Sequence, residues 1–140
     1  MNAGAERLLR YASIAFIVAV AIHGADHMYR GIEDQSPQVI SAGTIQAVLG
    51  AITVVLVFRR HRWAPPAAVV VGLASALLFA AAHVLPTWGF LSDSYVTPAA
   101  GAGVTWFSWV TAVLEIGADL AFGWAGANAL VHARATEPVV

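Results

Sequence analysis

The sequence predicts an all-α, polytopic membrane protein: a single domain over residues 1–140, built as a bundle of four transmembrane helices with both termini cytoplasmic. Three observations carry that expectation. Hydrophobic residues make up 59% of the 140 residues and charged residues only 11%, where a soluble domain carries about 25% charged residues. The mean hydropathy is +0.74. The apolar residues also fall into four runs, each near the roughly 20 residues that a spanning helix needs.

Composition removes several function classes. The net charge is -1, and no basic cluster is large enough to suggest nucleic acid. The absence of cysteine excludes disulfides, iron–sulfur clusters and thiolate metal sites. All seven basic residues are arginine, which fits a high-GC coding bias better than a function. There is no HExxH, no Gly-rich phosphate loop, no nucleophilic serine motif and no cofactor fingerprint. Whether the chain is an enzyme is therefore left open.

The first span is expected over residues 7–29. Arg7 and Arg10, the apolar run from Tyr11 to Ile22 and the small residues Ala19-Val20-Ala21 also fit a cleaved signal peptide. Helical periodicity continuing through Met28, with three further spans behind it, favours a retained helix. Gly31 to Pro37 is a polar turn carrying Glu33, Asp34 and Ser36. The second span, 38–58, has Gly43, Ala47 and Ala51 as a small-residue seam able to admit a close neighbour. Gln46 and Thr53 are its notable polar groups, and Arg59-Arg60-His61-Arg62 ends it.

Pro65-Pro66 open the third span, 66–85, at positions where proline costs a helix little. Gly72, Ala76 and Ala80 form its seam, His83 lies near its end, and Pro86 stops it. Residues 87–103 are expected to form an interfacial flap, because Trp88, Phe90 and Tyr95 suit the headgroup level. The fourth span, 104–131, is entered through Trp106, Phe107 and Trp109 and contains Glu115 and Asp119. His61 and His132, among arginines, are expected to be solvated. Trp63 and Trp124 read as interface or packing residues.

Arginine placement sets the expected orientation. Arg7, Arg10, Arg59, Arg60, Arg62 and Arg134 flank one side, and Arg30 lies on the other with Glu33, Asp34 and Asp93. That places the protein in the cell (inner or plasma) membrane with both ends inside and the flap outside.

The candidate site starts from His23-Gly24-Ala25-Asp26-His27. On a helix, His23 and His27 stand one turn apart with Asp26 in the same arc, a spacing that can grip one metal ion. The predicted topology brings His83, Glu115 and Asp119 to a similar layer near the outer side, on the inward faces of their helices. The expected ligands are His23, His27, His83, Glu115 and Asp119, with Asp26, Arg30 and Gln46 as supporting or weaker members. Ionisable groups in hydrocarbon are costly and must compensate one another. Imidazole and carboxylate without thiolate suit zinc, iron, manganese or copper(II).

Other readings stand beside this one. Asp26 and Arg30, one turn apart, make an ordinary ion pair. Asp119 can bond Gln46 or Thr53. The same groups can carry protons or ions without a metal, although few polar residues continue toward the cytoplasmic side beyond Ser13 and Asn128. A single b-type haem between His23 or His27 and His83 is less favoured, because carboxylates crowd the layer and the fourth helix has no facing histidine. A structural or accessory subunit is a third class. The lipid bilayer is the one expected partner, with a homo-oligomer or a larger membrane partner possible through the seams.

Overall fold

A computed structural model describes residues 2–31 and 35–134; of Arg134 it describes the backbone. Four helices follow in order: α1 (Ala3–Arg30), α2 (Pro37–Phe58), α3 (Ala64–His83) and α4 (Trp106–Arg134). Each is long and apolar enough to cross a membrane, and the described residues contain no strand. Glu33 and Asp34 lie outside the described residues.

Local chemistry fixes the helix ends. α1 begins four residues before the expected span because Asn2 caps it, its side-chain oxygen accepting from the Ala5 N–H at 2.8 Å and satisfying one orphan donor. Ser36 caps α2 in the same way, accepting from the Val39 N–H, with Pro37 in the first turn. Thr105 and Ser108 cap α4 reciprocally: the Thr105 N–H donates to the Ser108 hydroxyl and the Ser108 N–H to the Thr105 hydroxyl. α2 ends when the His61 N–H reaches back to the Leu56 carbonyl and the Arg60 N–H to the Val57 carbonyl. This double closure requires a left-handed residue, and Arg60 takes it at φ 52°. The Arg60 side chain then reaches Glu6 at 2.6 Å, where Arg10 also pairs, so the start of α1 is tied to the α2–α3 turn.

Glycines set the closest helix approaches. A Cβ on Gly72 of α3 would lie 2.5 Å from the Gly123 nitrogen and 2.6 Å from the Asp119 carbonyl oxygen; one on Gly126 would lie 2.7 Å from the Pro65 carbonyl oxygen. α3 and α4 therefore meet backbone to backbone, as small-residue contacts in membranes allow. On α2 the result differs from expectation. Gly43 and Ala51 are exposed, Gly43 with nothing within 4 Å of a built Cβ. The buried positions are Gly50, Thr53 and Val57, and Gly50 admits the Phe16 ring of α1. Ala47 is partly buried, so the expected α2 seam is only in part an intramolecular contact; the buried stripe is centred about a quarter turn away. α2 is the least covered span, with 11% of its most apolar window buried against 44% on α4. Its outward hydroxyls do not go unpaired: Ser41 and Thr44 donate to the Pro37 and Ile40 carbonyls one turn back.

The apolar core is divided along the bundle axis. A larger cluster of Leu9, Phe16, Val57, Ala68, Phe122, Ala125 and neighbours fills the half nearer the chain ends, with Phe16 and Phe122 rings 4.9 Å apart. A smaller one, Phe79, Tyr95 and Ala112, lies toward the other end. Beside and between them sits the buried polar group of His23, Asp26, His83, Ser108, Thr111, Glu115 and Asp119.

The segment after α3 folds back on that helix. The Asp93 N–H donates to the Ala82 carbonyl and the Tyr95 N–H to the His83 carbonyl, while the Trp88 indole N–H donates to the Ala81 carbonyl at 2.7 Å. Trp88 and Phe90 are exposed, as an interfacial flap requires, but Tyr95 is buried. Its phenol instead plugs the bundle end, held there by the backbone turn at Asp93–Tyr95.

Candidate metal centre

α1 supplies one wall of the site. His23, Asp26, His27 and Arg30 follow at helical spacing on one face, and the side chain of Arg30 is almost as buried as that of Asp26. α3 brings His83 in its last turn. One ring nitrogen from each of His23, His27 and His83 lies within 4.8 Å of the other two. The ring centroids are 4.5 Å apart for His23–His27, 5.1 Å for His23–His83 and 5.5 Å for His27–His83. Phe79 packs against both His23 and His83, and Tyr95 stacks at a tilt over His83.

The hydrogen bonds assign the ring protons. Thr111 donates its hydroxyl to the Ser108 carbonyl, so toward His23 it is an acceptor and His23 Nδ1–H donates to it at 3.0 Å. His23 Nε2 is therefore a lone pair. His83 Nδ1–H donates to the Asp93 carbonyl at 2.9 Å, which leaves His83 Nε2 as a lone pair too. His27 is held the other way round. Its Nδ1 receives Arg30 Nη2 at 3.0 Å and the Gln35 amide, and a guanidinium only donates. Its proton is thus on Nε2, donated to His23 Nε2 at 2.7 Å.

Two of the three imidazoles are consequently preset as ligands, each with its far nitrogen anchored, as metal-binding histidines usually are. For His27 to join them, its proton must pass to Nδ1, which requires the Arg30 and Gln35 donors to withdraw and the Asp93 carboxylate, 3.7 Å away, to take their place. An ion about 2.1 Å from each nitrogen keeps tetrahedral neighbours about 3.4 Å apart. The 2.7 Å His23–His27 contact must therefore open somewhat on loading. The group fits a tripod of imidazoles with further coordination positions open. It offers no slot for a haem between two histidines: the His83 ring packs 5.1 Å from His23 and 5.5 Å from His27, with no space between them for a macrocycle.

Arg30 is the electrostatic centre of the surrounding shell. It donates from Nε to Asp26 at 2.9 Å, from Nη1 to the Ala102 carbonyl at 3.0 Å, and from Nη2 to Asp93 at 2.9 Å and the Tyr95 oxygen at 3.2 Å. One buried cation thus stands between two carboxylates. Burial pushes the Tyr95 phenol well above its ordinary range, so its O–H stays protonated beside the imidazoles. Asp26 is occupied on both oxygens, by Arg30 and by the Ser108 hydroxyl at 3.0 Å. It is an ion-pair partner rather than a ligand.

Glu115 and Asp119 do not belong to the group of converging ligand atoms. His23 meets α4 at Thr111, and Glu115 is one turn further along, about 6 Å at about 1.5 Å per residue. There Glu115 accepts from the Gln46 amide of α2 at 2.9 Å, so Gln46 supports Glu115 rather than an imidazole. Asp119, another turn on, has neither oxygen hydrogen-bonded among the described residues.

Two members were not singled out from sequence. Asp93 approaches Nδ1 of both His27 and His83, at 3.7 and 3.5 Å, and its own backbone carbonyl fixes His83. Tyr95 covers the triad. The available signal was their position ten and twelve residues after His83, in a segment short enough to fold back. Comparison of the chain with family models, with curated proteins and with solved structures finds no match.

Proposed function

We propose that the chain is a multi-pass membrane metalloprotein whose His23, His27 and His83 take one divalent transition-metal ion. The observation that carries this reading is the convergence of three imidazole nitrogens from two helices, two of them already in the tautomer that ligation requires. An all-imidazole set favours zinc, copper or iron over manganese, which prefers oxygen. Such an ion would supply Lewis acidity, or electron transfer if it is redox-active. The role of the chain's own residues is to orient the imidazoles, to keep a carboxylate at hand for the His27 proton, and to shield the site with Phe79 and Tyr95. Arginine placement puts the termini in the cytoplasm and the site near the outer face of the cell membrane.

A metal-free proton path draws support from the run of hydrogen bonds from Arg30 through His27, His23 and Thr111. That run ends on the Ser108 carbonyl, and the Phe16–Phe122 cluster fills the bundle beyond Asp119. The triad is therefore better suited to holding an ion than to conducting one.

Detergent-purified protein from metal-supplemented cells should carry one transition-metal ion per chain by elemental analysis. His23→Ala and His83→Ala should each reduce that to a small fraction. Metal at full stoichiometry in both variants would contradict the assignment.

A further inference from the structure

The polar groups that the triad leaves aside form a second cluster deeper in the bundle. Glu115 and Asp119 lie one turn apart on α4, 2% and 0% exposed. Gln46 reaches Glu115 from α2. The remaining Glu115 oxygen and both Asp119 oxygens are buried without a hydrogen-bond partner among the described residues. Among the described residues neither carboxylate has an ion pair; the buried arginine of the bundle, Arg30, is committed to Asp26 and Asp93.

Three unpaired carboxylate oxygens in such a place demand an occupant, because a buried acceptor without a donor loses its full solvation. The two acids share one stripe of α4, so ionising both without a counter-charge adds mutual repulsion. The donors are all oxygen: two carboxylates and, with its amide turned end for end, the Gln46 carbonyl. Oxygen-only sets select hard cations, and two carboxylates are neutralised by a divalent one.

We propose that Glu115, Asp119 and Gln46 form a second, oxygen-only site for a hard divalent cation, separate from the imidazole triad and contributed by α4 and α2. The site joins α2, the least covered helix, to the centre of the bundle through an ion.

The test is equilibrium dialysis of the metal-stripped, detergent-solubilised protein against Ca²⁺ and, separately, Mg²⁺, neither of which imidazole binds well. The expected result is one equivalent of either ion on the wild type, kept in His83→Ala and lost in the isosteric double variant Glu115→Gln/Asp119→Asn. No uptake by the wild type overturns the proposal, as does uptake that the double variant keeps, which would place the ion on surface acids. Infrared spectra at saturating cation give an independent reading. A carboxylic-acid carbonyl band in the wild type that vanishes in the double variant would show protons in the site instead, and would also overturn it. Since the probe ions avoid the triad, either site can fail without the other.

Discussion

At the residue scale, Asp93 bears most on the triad among the groups outside it. Its backbone carbonyl sets the His83 tautomer and its carboxylate faces Nδ1 of His27. Carboxylates in that position typically matter about 10–100-fold in metal affinity. Asp93→Asn should therefore weaken transition-metal binding by about that factor, measured by competition with a chelator, while the helical circular dichroism stays unchanged. An unchanged affinity would mean that His27 ligates without it. Asp93 was hard to read from sequence because it sits in a segment without periodicity, and its place depends on the two backbone bonds that return the chain to Ala82 and His83. The histidines were legible because they interrupt otherwise apolar helices. So was the Asp26–Arg30 pair, which helical spacing dictates.

At the element scale, helix positions were legible and helix faces only partly so. The four spans appear within a few residues of their expected limits, and the differences come from local signals such as the Asn2 cap of α1 and the prolines in the first turn of α3. The seam on α3 is real at Gly72, where it meets α4, whereas on α2 Gly43 and Ala51 are exposed and only Ala47 is partly buried. In an apolar helix both faces look alike in sequence, since lipid and core are equally apolar. The contrast gives a paired prediction. Gly72→Ala drives a methyl into the Gly123 and Asp119 backbone and should destabilise the bundle by about 1–3 kcal/mol. Gly43→Ala, with open space around it, should change stability little. Unfolding in mixed detergent, followed by circular dichroism, checks both, and equal effects would contradict the α3–α4 packing described above.

At the scale of the whole molecule, the bundle separates its polar groups by depth. The predicted topology brings Glu115 and Asp119 to a similar layer as the histidines. The register is set by His23 meeting Thr111 and Asp26 meeting Ser108, which leaves Glu115 one turn lower and turned toward α2. An uncertainty of one turn is small for a topology and decisive for a ligand set. Sequence could therefore gather the ionisable groups in one region but could not divide the histidines from Glu115 and Asp119. An ion on the triad would therefore be held by imidazole nitrogen, without Glu115 or Asp119. X-ray absorption spectroscopy of the metal-loaded protein reads this directly. A shell of three imidazole nitrogens at about 2.0–2.1 Å, reduced in His83→Ala, is the predicted result; an oxygen-only shell, or imidazole scattering untouched by that substitution, would contradict it.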